Sequence, residues 1–509
     1  MKLFTASQIR ELDANTLTEL HIPSHELMER AAQAFTNQLL KEFESTQEFT
    51  LFCGKGNNGG DALAIARQLK AAGKIISVYS VEYTSKSSID HDYMFDKLKS
   101  ESQVVPKKIT TASECPSLTD ARTVIIDGLL GTGTTRPCEG LLAEVIQKIN
   151  LFNGIKVSID IPSGMPADTF NTDYLAVQST VTYTFQFPKL AFMLPVASKH
   201  VPRFEILDIG ISQQAITRTP SRFFYTTPND LLPILKHREV ASHKGQFGHA
   251  QIIAGSKGKS GAAVIAARAC LRSGAGLLTV RTTQDTATAL NAAIPEAMTE
   301  IVQGDFVDNL EKSERYNVIG VGPGLGVNSS TNQLLRQLLN YYKGSLVLDA
   351  DAITLLADNP TWYHYLPPHT ILTPHVKEFS RLIGETLNEQ ERLIAASNFA
   401  TKYAVILVLK GLHTAIAMPD GSIHFNSTGN AGLAKGGSGD ALTGIITGLL
   451  ARGYNAPQSA LLGVYLHGHA ADILAEETSQ ESILATDVAD KIPYAFKSLE
   501  SFGLSDGLK

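Results

Sequence analysis

Cysteine is scarce in this chain and never clustered: Cys53, Cys115, Cys138 and Cys270 stand far apart, with no C-x-x-C pair. In a chain of 509 residues that pattern argues against a disulfide framework and against a thiolate zinc site. The opening MKLFTASQIRELDANTL has too short an apolar run for a secretory signal, so the expected compartment is the cytoplasm. Excess charge of one sign is also missing: 44 Lys+Arg face 50 Asp+Glu, a formal net charge of -6, with no basic block. Nucleic-acid binding is therefore not expected as the main task. Nor is there a long hydrophobic run. The least charged stretch, Tyr454–Ala471, still holds Asn, Gln, Pro and two His, so no membrane span is expected. What remains is an ordinary globular composition, 43% hydrophobic and 18% charged, long enough for two or more domains with sizeable cores.

The first half alternates short β-branched runs with amphipathic stretches. Phe49–Cys53, Ile75–Val81, Thr123–Asp127 and Val157–Ile161 read as buried strands, with helices at Asp61–Ala72 and Gly140–Lys148 between them. Ahead of them Ser7–Phe43 reads as two helices broken at Ile22-Pro23-Ser24, with Ser24 as a cap. Near 211–228 the pattern fades into SQQAITRTPSRFFYTTP, which reads as a linker. A second alternation follows: Ala250–Ala254, Leu277–Arg281, Asn317–Val321, Leu346–Asp349, Thr370–Thr373 and Val405–Leu409. A hairpin is expected around Pro419-Asp420-Gly421, and helices at Ala441–Leu450 and Gln458–Leu474. The expectation is two tandem α/β/α domains, 1–215 and 222–509, each on a largely parallel sheet.

Ligands of open parallel sheets bind beyond the carboxyl ends of the strands, so residues directly after predicted strands matter most. In the first domain these are Gly54-Lys55-Gly56-Asn57-Asn58-Gly59-Gly60-Asp61, Asp127-Gly128-Leu129-Leu130-Gly131-Thr132-Gly133 and Asp160-Ile161-Pro162-Ser163-Gly164. The first fits G-x-G-x-x-G, suited either to a pyrophosphate or to a plain βα turn, with Glu82 near where a ribose would sit. Asp127 and Asp160 close strands and are either turn caps or engaged in chemistry. Asn58, Asp127 and Ser163 offer oxygen ligands of low net charge, better suited to a monovalent cation than to zinc.

In the second domain Gly255-Ser256-Lys257-Gly258-Lys259-Ser260 imitates a P-loop, but the required first Gly is Ile253, which disfavours that class. Gly322-Pro323-Gly324-Leu325-Gly326 reads as a turn that exposes backbone, Asp349 and Asp351 as caps or metal-facing carboxylates, and His375 as structural or ligand-binding. The sharpest feature is Lys435-Gly436-Gly437-Ser438-Gly439-Asp440 running into a helix. Unpaired amides and the helix dipole there form an anion hole for a phosphoryl group, and Asp440 is placed to take a proton from a hydroxyl.

A G-S-G-D loop before a late helix resembles the ribokinase-like superfamily. AGSKGKSGAA, GVGPGLG, VLDADA, TPH, LKGLHT and KGGSGD, in that order, resemble the ADP/ATP-dependent NAD(P)H-hydrate dehydratase family. Upstream, ELDANTLTELHIPSHELMERAA, GKGNNGGDALAIAR, DGLLGTG and SIDIPSG resemble the NAD(P)H-hydrate epimerase domain, and together they follow the order of the bifunctional repair enzymes. The resemblance implies a Rossmann-like N-terminal domain that interconverts the R and S hydrates of NADH and NADPH (NADHX and NADPHX). It implies a ribokinase-like C-terminal domain that phosphorylates the S form with ADP and eliminates phosphate, releasing AMP and NAD(P)H. It also implies K+ at the epimerase site and Mg2+ at the dehydratase site, and it is compatible with a homo-oligomer.

Carried over by motif, Asn57, Asn58, Gly59, Gly60 and Asp61 with Gly131, Thr132, Gly133, Thr134, Thr135, Arg136 and Pro137 would hold the hydrate, and Asp160 would face the reacting ring. Asn58, Asp127 and Ser163 would bind potassium. In the second domain Ala262, Gly324, His375 and Asp440 would contact the hydrate, with Asp440 as base. Lys410, Gly411, Leu412, His413, Thr414 and Gly439 would hold the nucleotide. Two positions depart from the family: Val376-Lys377 replace the Pro-Gly that usually follows the TPH histidine, which puts Glu378 in doubt, and Ala62 replaces a Gly. A competing expectation is a ribokinase-like vitamin-precursor kinase whose first domain is a scaffold or binding module; the first domain's own polar loops argue against it.

Overall fold

The computed structural model describes residues 1–118, 122–169, 174–311 and 313–506; the last three residues of the expected second domain, 507–509, lie outside them. The chain separates into two compact units, one made of residues 2–221 and the other of Met1 with residues 222–509.

In the first unit, β-branched and aromatic runs form seven parallel strands: β1 (Glu48–Cys53), β2 (Ile75–Val81), β3 (Lys107–Ile109), β4 (Val124–Gly128), β5 (Lys156–Ile159), β6 (Val181–Phe185) and β7 (Phe204–Leu207). Their order is β3-β2-β1-β4-β5-β6-β7. The chain leaves β1 toward one edge and returns at β4 on its other side, so the loops after β1 and β4 diverge and open a crevice. Helices α1 (Ala6–Leu20), α2 (Ser24–Glu42), α3 (Asn57–Ala71) and α4 (Gly140–Leu151) belong to this unit. One core lies where Phe35 and Leu39 of α2 and Leu63, Ile65 and Leu69 of α3 meet Leu51, Ile126 and Val157 of the sheet. On a second face Val145, Ile146 and Ile149 of α4 pack with Phe52 and Ile125.

The second unit carries β8 (Phe223–Thr226), β9 (His249–Ile253), β10 (Leu277–Thr283), β11 (Met298–Val302), β12 (Val318–Val321), β13 (Ser345–Leu348), β14 (Ile371–Leu372), β15 (Ile406–Leu409), β16 (Ala415–Ala417) and β17 (Ile423–Asn426). They run β8-β17-β16-β15-β14-β13-β12-β9-β10-β11, parallel except for β16, which is antiparallel to both neighbours. Here the order reverses around β9, and its carboxyl-end loop meets that of β12: Gly255 N–H donates to Pro323 O at 2.9 Å and Ser256 Oγ to Gly324 O at 2.9 Å. Helices α5 (Ser260–Arg272), α6 (Ala350–Ala357), α7 (Val376–Ile383), α8 (Ser438–Ala451) and α9 (Ala456–Glu477) position the site. The near absence of charge in α8 follows from burial on every side, and Gly444 lets it ride against α5, where a Cβ would sit 2.1 Å from Ala266 O.

Three local expectations are corrected. The stretch read as a linker holds a helix, Gln213–Arg218, capped by the Ser212 hydroxyl, and the strand β8. Helix α3 begins at Asn57 instead of Asp61, so the Asn-Asn-Gly-Gly run is its first turn. Ser24 is the first residue of α2, behind Pro23 as N-cap, and its hydroxyl donates to Asp90 Oδ1 at 2.7 Å instead of capping.

Candidate functional site

In the first unit the loops after β1, β4, β5 and β6 surround a cavity of about 1160 Å³. That exceeds the roughly 300–1,000 Å³ typical of small-ligand pockets and leaves room for a dinucleotide. Gly54 makes the crevice tight at its root: its N–H donates to Gly128 O at 3.0 Å, and a Cβ there would lie 1.8 Å from Leu129 O. Asn57, Asn58, Asp61, the segment from Gly131 to Pro137 and Asp160 all line the cavity. Gly59 and Gly60 do not; a Cβ on the first would strike Gly54 O, and on the second the Met28 sulfur, so both permit helix packing. Glu82 is ion-paired to Lys55 at 2.9 Å, which holds its carboxyl below the usual range against the effect of burial, and it stands outside the lining.

Asp160 sits at φ 62°, a left-handed conformation unusual for a non-glycine residue and frequent at functional sites. Its Oδ1 accepts from Lys189 Nζ at 2.6 Å, Phe185 N–H at 2.9 Å and Thr184 Oγ1 at 3.2 Å. Lys189 is 1% exposed, and its other bonds go to Thr184 Oγ1 and Phe187 O, both at 3.0 Å. Two more carboxyls face this pair. Burial and the Asp160 charge push Asp13 up to about 6, and burial with Asp160, Asp13 and Asp90 pushes Asp61 well above the carboxylate range.

Asn58, Asp127 and Ser163 come together beside the cavity. Asp127, fully buried, accepts from Ser163 Oγ at 2.5 Å and Ser163 N–H at 2.9 Å, and from Ser158 Oγ at 2.9 Å. Leu130 O accepts from Asn58 Nδ2 at 2.8 Å and Ser163 Oγ at 3.2 Å. Burial outweighs these bonds and raises the Asp127 carboxyl. One carboxylate, a hydroxyl, an amide and a backbone carbonyl make an all-oxygen set that fits a hard monovalent cation. Among the described residues no group of three or more His, Cys, Asp or Glu could hold a metal ion.

In the second unit, Gly437 at φ 93° turns the chain into α8. Ala441 N–H to Gly437 O, at 3.0 Å, is the first intrahelical bond, so the amides of Gly439 and Asp440 precede the ladder. A Cβ on Gly439 would come 3.2 Å from Lys410 Nζ and 3.6 Å from Asp349 Oδ2, so a bare backbone there keeps the approach open. Lys410 Nζ donates to the buried Asp349 Oδ1 at 3.0 Å, and Thr443 Oγ1 donates to Asp349 Oδ2 at 2.8 Å. Burial and the Asp349 charge push the half-buried Asp440 up to about 7, against the opposing pull of Lys410. That value suits a general base working near neutrality.

Asp351 accepts from Gly326 N–H at 2.7 Å and Lys259 Nζ at 3.2 Å. Gly324 stands against Ala262, where a Cβ would come 3.0 Å from the methyl. His375 caps α7, its Nδ1 accepting from Glu378 N–H at 3.1 Å, while Glu378 Oε2 accepts from His375 N–H at 2.8 Å. Glu378 thus completes a capping box despite Val376-Lys377, and its carboxylate stands 3.9 Å from Lys410 Nζ. A β-bridge joins His375 to Lys410. Beyond Lys410, Thr414 Oγ1 donates to Gly411 O at 3.4 Å, Leu412 is exposed and His413 Nδ1 lies 3.1 Å from Asn426 O.

Sequence reasoning overlooked Asp13, Lys189 and Thr443. Lys189 follows β6, a strand absent from the expected set, so residue order alone does not place it at a strand end. Asp13 lies on the cavity side of α1, where spacing alone reads as a solvated face. Thr443, one turn beyond Asp440 in an apolar helix, was the available signal for a buried polar partner.

Two α/β units, each with a carboxyl-bearing site at the ends of parallel strands where the sheet order reverses, define a two-site enzyme. Residues 24–191 match the family model for the YjeF-related protein N-terminus, and residues 250–494 that for NAD(P)H-hydrate dehydratase. The bifunctional NAD(P)H-hydrate repair enzyme of Moorella thermoacetica is 33% identical over 98% of this chain and 97% of its own length. That of Escherichia coli K12 is 32% identical over 95% and 92%. A solved ADP/ATP-dependent NAD(P)H-hydrate dehydratase from Bacillus subtilis, co-crystallized with ATP/Mg2+, is 35% identical with a TM-score of 0.50, covering 54% of this chain and 99% of that one. The chain belongs to the family of bifunctional NAD(P)H-hydrate repair enzymes.

Proposed function

We propose that the first unit interconverts the R and S hydrates of NADH and NADPH, and that the second dehydrates the S form with ADP, releasing AMP and phosphate. The observation that carries this reading is the pairing of two chemically different sites in one chain. One is a dinucleotide-sized cavity with Asp160 and its buried lysine; the other is Asp440 at a helix N-terminus lined with free amides. In the second unit Asp440 takes the proton from the hydrate hydroxyl as the amides of Gly439 and Asp440 receive the phosphoryl group. Hydroxide is a poor leaving group and phosphate a good one, so elimination follows. Ala262, Gly324 and His375 hold the hydrate, and Lys410–Thr414 with Gly439 hold the nucleotide. Mg2+ would supply charge neutralisation for the transferred phosphoryl, as the ATP/Mg2+ of the Bacillus dehydratase suggests. In the first unit Asn57–Asp61 and Gly131–Pro137 hold the dinucleotide, with Asp160 at the ring.

K+ between Asn58, Asp127 and Ser163 would offset the buried Asp127 charge and fix the loop that carries Gly131–Pro137. A ligand that binds only the folded state stabilises it. Replacing KCl by choline chloride at equal ionic strength is therefore expected to lower the melting temperature and slow epimerisation; equal melting curves in both salts would rule the site out. No described helix is long and apolar enough to cross a membrane, and the free thiols fit a reducing cytoplasm.

The deciding experiment follows recovery of reduced-nicotinamide absorbance from mixed R and S NADH hydrate with Mg2+ and either ADP or ATP. Recovery of the whole pool, faster than spontaneous epimerisation allows, is expected, with ADP as the better donor. Recovery that stops at the S fraction would leave the first unit without activity. No recovery would return the second unit to a kinase of small hydroxylated substrates.

A further inference from the structure

The cavity of the first unit holds more proton-transfer chemistry than Asp160 alone can use. Asp13 reaches it from α1, and Asp160 reaches it from the loop after β5; both line the same space. Among the described residues none donates a hydrogen bond to the Asp13 carboxyl, whereas Asp160 Oδ1 is saturated by Lys189, Phe185 and Thr184. One carboxyl is thus tethered and paired with a buried cation, while the other is unengaged and turned to the ligand space. Inversion at a carbon that carries a hydroxyl needs departure from one face and addition at the other, which two groups on separate elements can serve.

We propose that Asp13 is the second catalytic acid/base group of the epimerase site, paired with Asp160 across the hydrate ring. The inference rests on the epimerase reading above. In the forward direction the Asp13 carboxylic acid gives its proton to the C6 hydroxyl. The C6–O bond breaks, the ring N1 lone pair forms C6=N1, and water leaves. Water then adds to the opposite face of C6, the C6=N1 pair returns to N1, and the proton of the adding water passes to the Asp160 carboxylate. Solvent returns that proton to Asp13; the reverse reaction uses the same two groups with roles exchanged. Asp160 and Lys189, beyond β5 and β6, and Asp61 on α3 interact with Asp13 directly, and the other charged groups lining the cavity are Arg10 on its own helix, Asp90 beyond β2, and Arg136 and Glu139 beyond β4. Burial and the Asp160 charge raise Asp13 to about 6 and Lys189 opposes them, so its acid form is depleted as pH rises past that point.

The test uses the full chain, R-NADH hydrate, chromatographic separation of the epimers and H2 18O. Wild type is expected to convert R to S with 18O entering the C6 hydroxyl at the enzymatic rate, and with a rate that falls as pH rises through about 6. Asp13→Asn is expected to lose roughly 100-fold or more in kcat, keep its KM and lose that pH limb; Asp13→Glu keeps the limb. An Asp13→Asn rate within fivefold of wild type overturns the proposal. So does an equal loss at every pH with the limb intact, which marks a structural role, or inversion without 18O uptake. Wild type that fails to epimerise at all overturns the epimerase reading along with it, a result distinct from failure of the variant alone.

Discussion

Asp440→Asn is expected to lower dehydration by about 10²–10⁴-fold while R/S equilibration runs at the wild-type rate, because a positioned general base contributes on that scale and Asp440 belongs to the second unit alone. The carboxyl is raised to about 7 by burial and by Asp349. A base must be ionised to accept a proton, so wild-type dehydration falls as pH drops below about 7, and the residual rate of the variant shows no such limb. The same shift separates chemistry from folding. A carboxyl whose folded-state value lies above its unfolded one binds more protons when folded, so it costs stability as pH rises through that window. Asn removes the cost, and the variant should melt no lower than wild type at pH 8. Absorbance recovery from S hydrate and epimer ratios from R hydrate, measured on one preparation, give the result. Loss of both activities would show that the two sites are not independent.

The parts of these sites legible in the sequence share a physical origin. Glycines that let backbones approach, and carboxylates set directly after β-branched runs, leave local signatures, so Asp160, Asp127, Asp440 and the loops around them stood out from residue order alone. Strand boundaries shifted by a residue or two because hydrogen bonding, not side-chain pattern, ends a strand. The Asn-Asn-Gly-Gly run looked like a loop because glycine disfavours helix; packing of Gly59 and Gly60 against Gly54 and Met28 overrides that preference. Asp13, Lys189 and Thr443 escaped for the opposite reason. Each acquires its meaning from a partner far along the chain, Asp160 for the first two and Asp349 for the third; a hydroxyl in an apolar helix signals that Thr443 has a buried partner, but no local pattern identifies which residue that partner is. Glu378 shows the reverse case: Val376-Lys377 is an unfamiliar turn sequence, yet the capping box that His375 and Glu378 form across it is intact.

Lys189→Met is expected to cost about 3–5 kcal/mol and to abolish epimerisation, since removing one partner of a buried pair leaves the other charge uncompensated. Lys189 is 1% exposed and Asp160 16%, and the ammonium is 2.6 Å from the carboxylate. Methionine fills the space of the aliphatic stem but ends the bonds to Asp160, Thr184 and Phe187. Adding Asp160→Asn to Lys189→Met removes the stranded charge, so the double variant should regain much of the lost stability and none of the activity. That combination distinguishes a pair kept for chemistry from one kept for folding. The single tryptophan, Trp362, lies in the second unit, so its fluorescence follows that unit while circular dichroism follows both. A urea transition that moves by circular dichroism but not by Trp362 fluorescence places the loss in the first unit. Dehydration of S hydrate should persist throughout in Lys189→Met, and a variant that epimerises at the wild-type rate would show that the buried lysine serves packing alone.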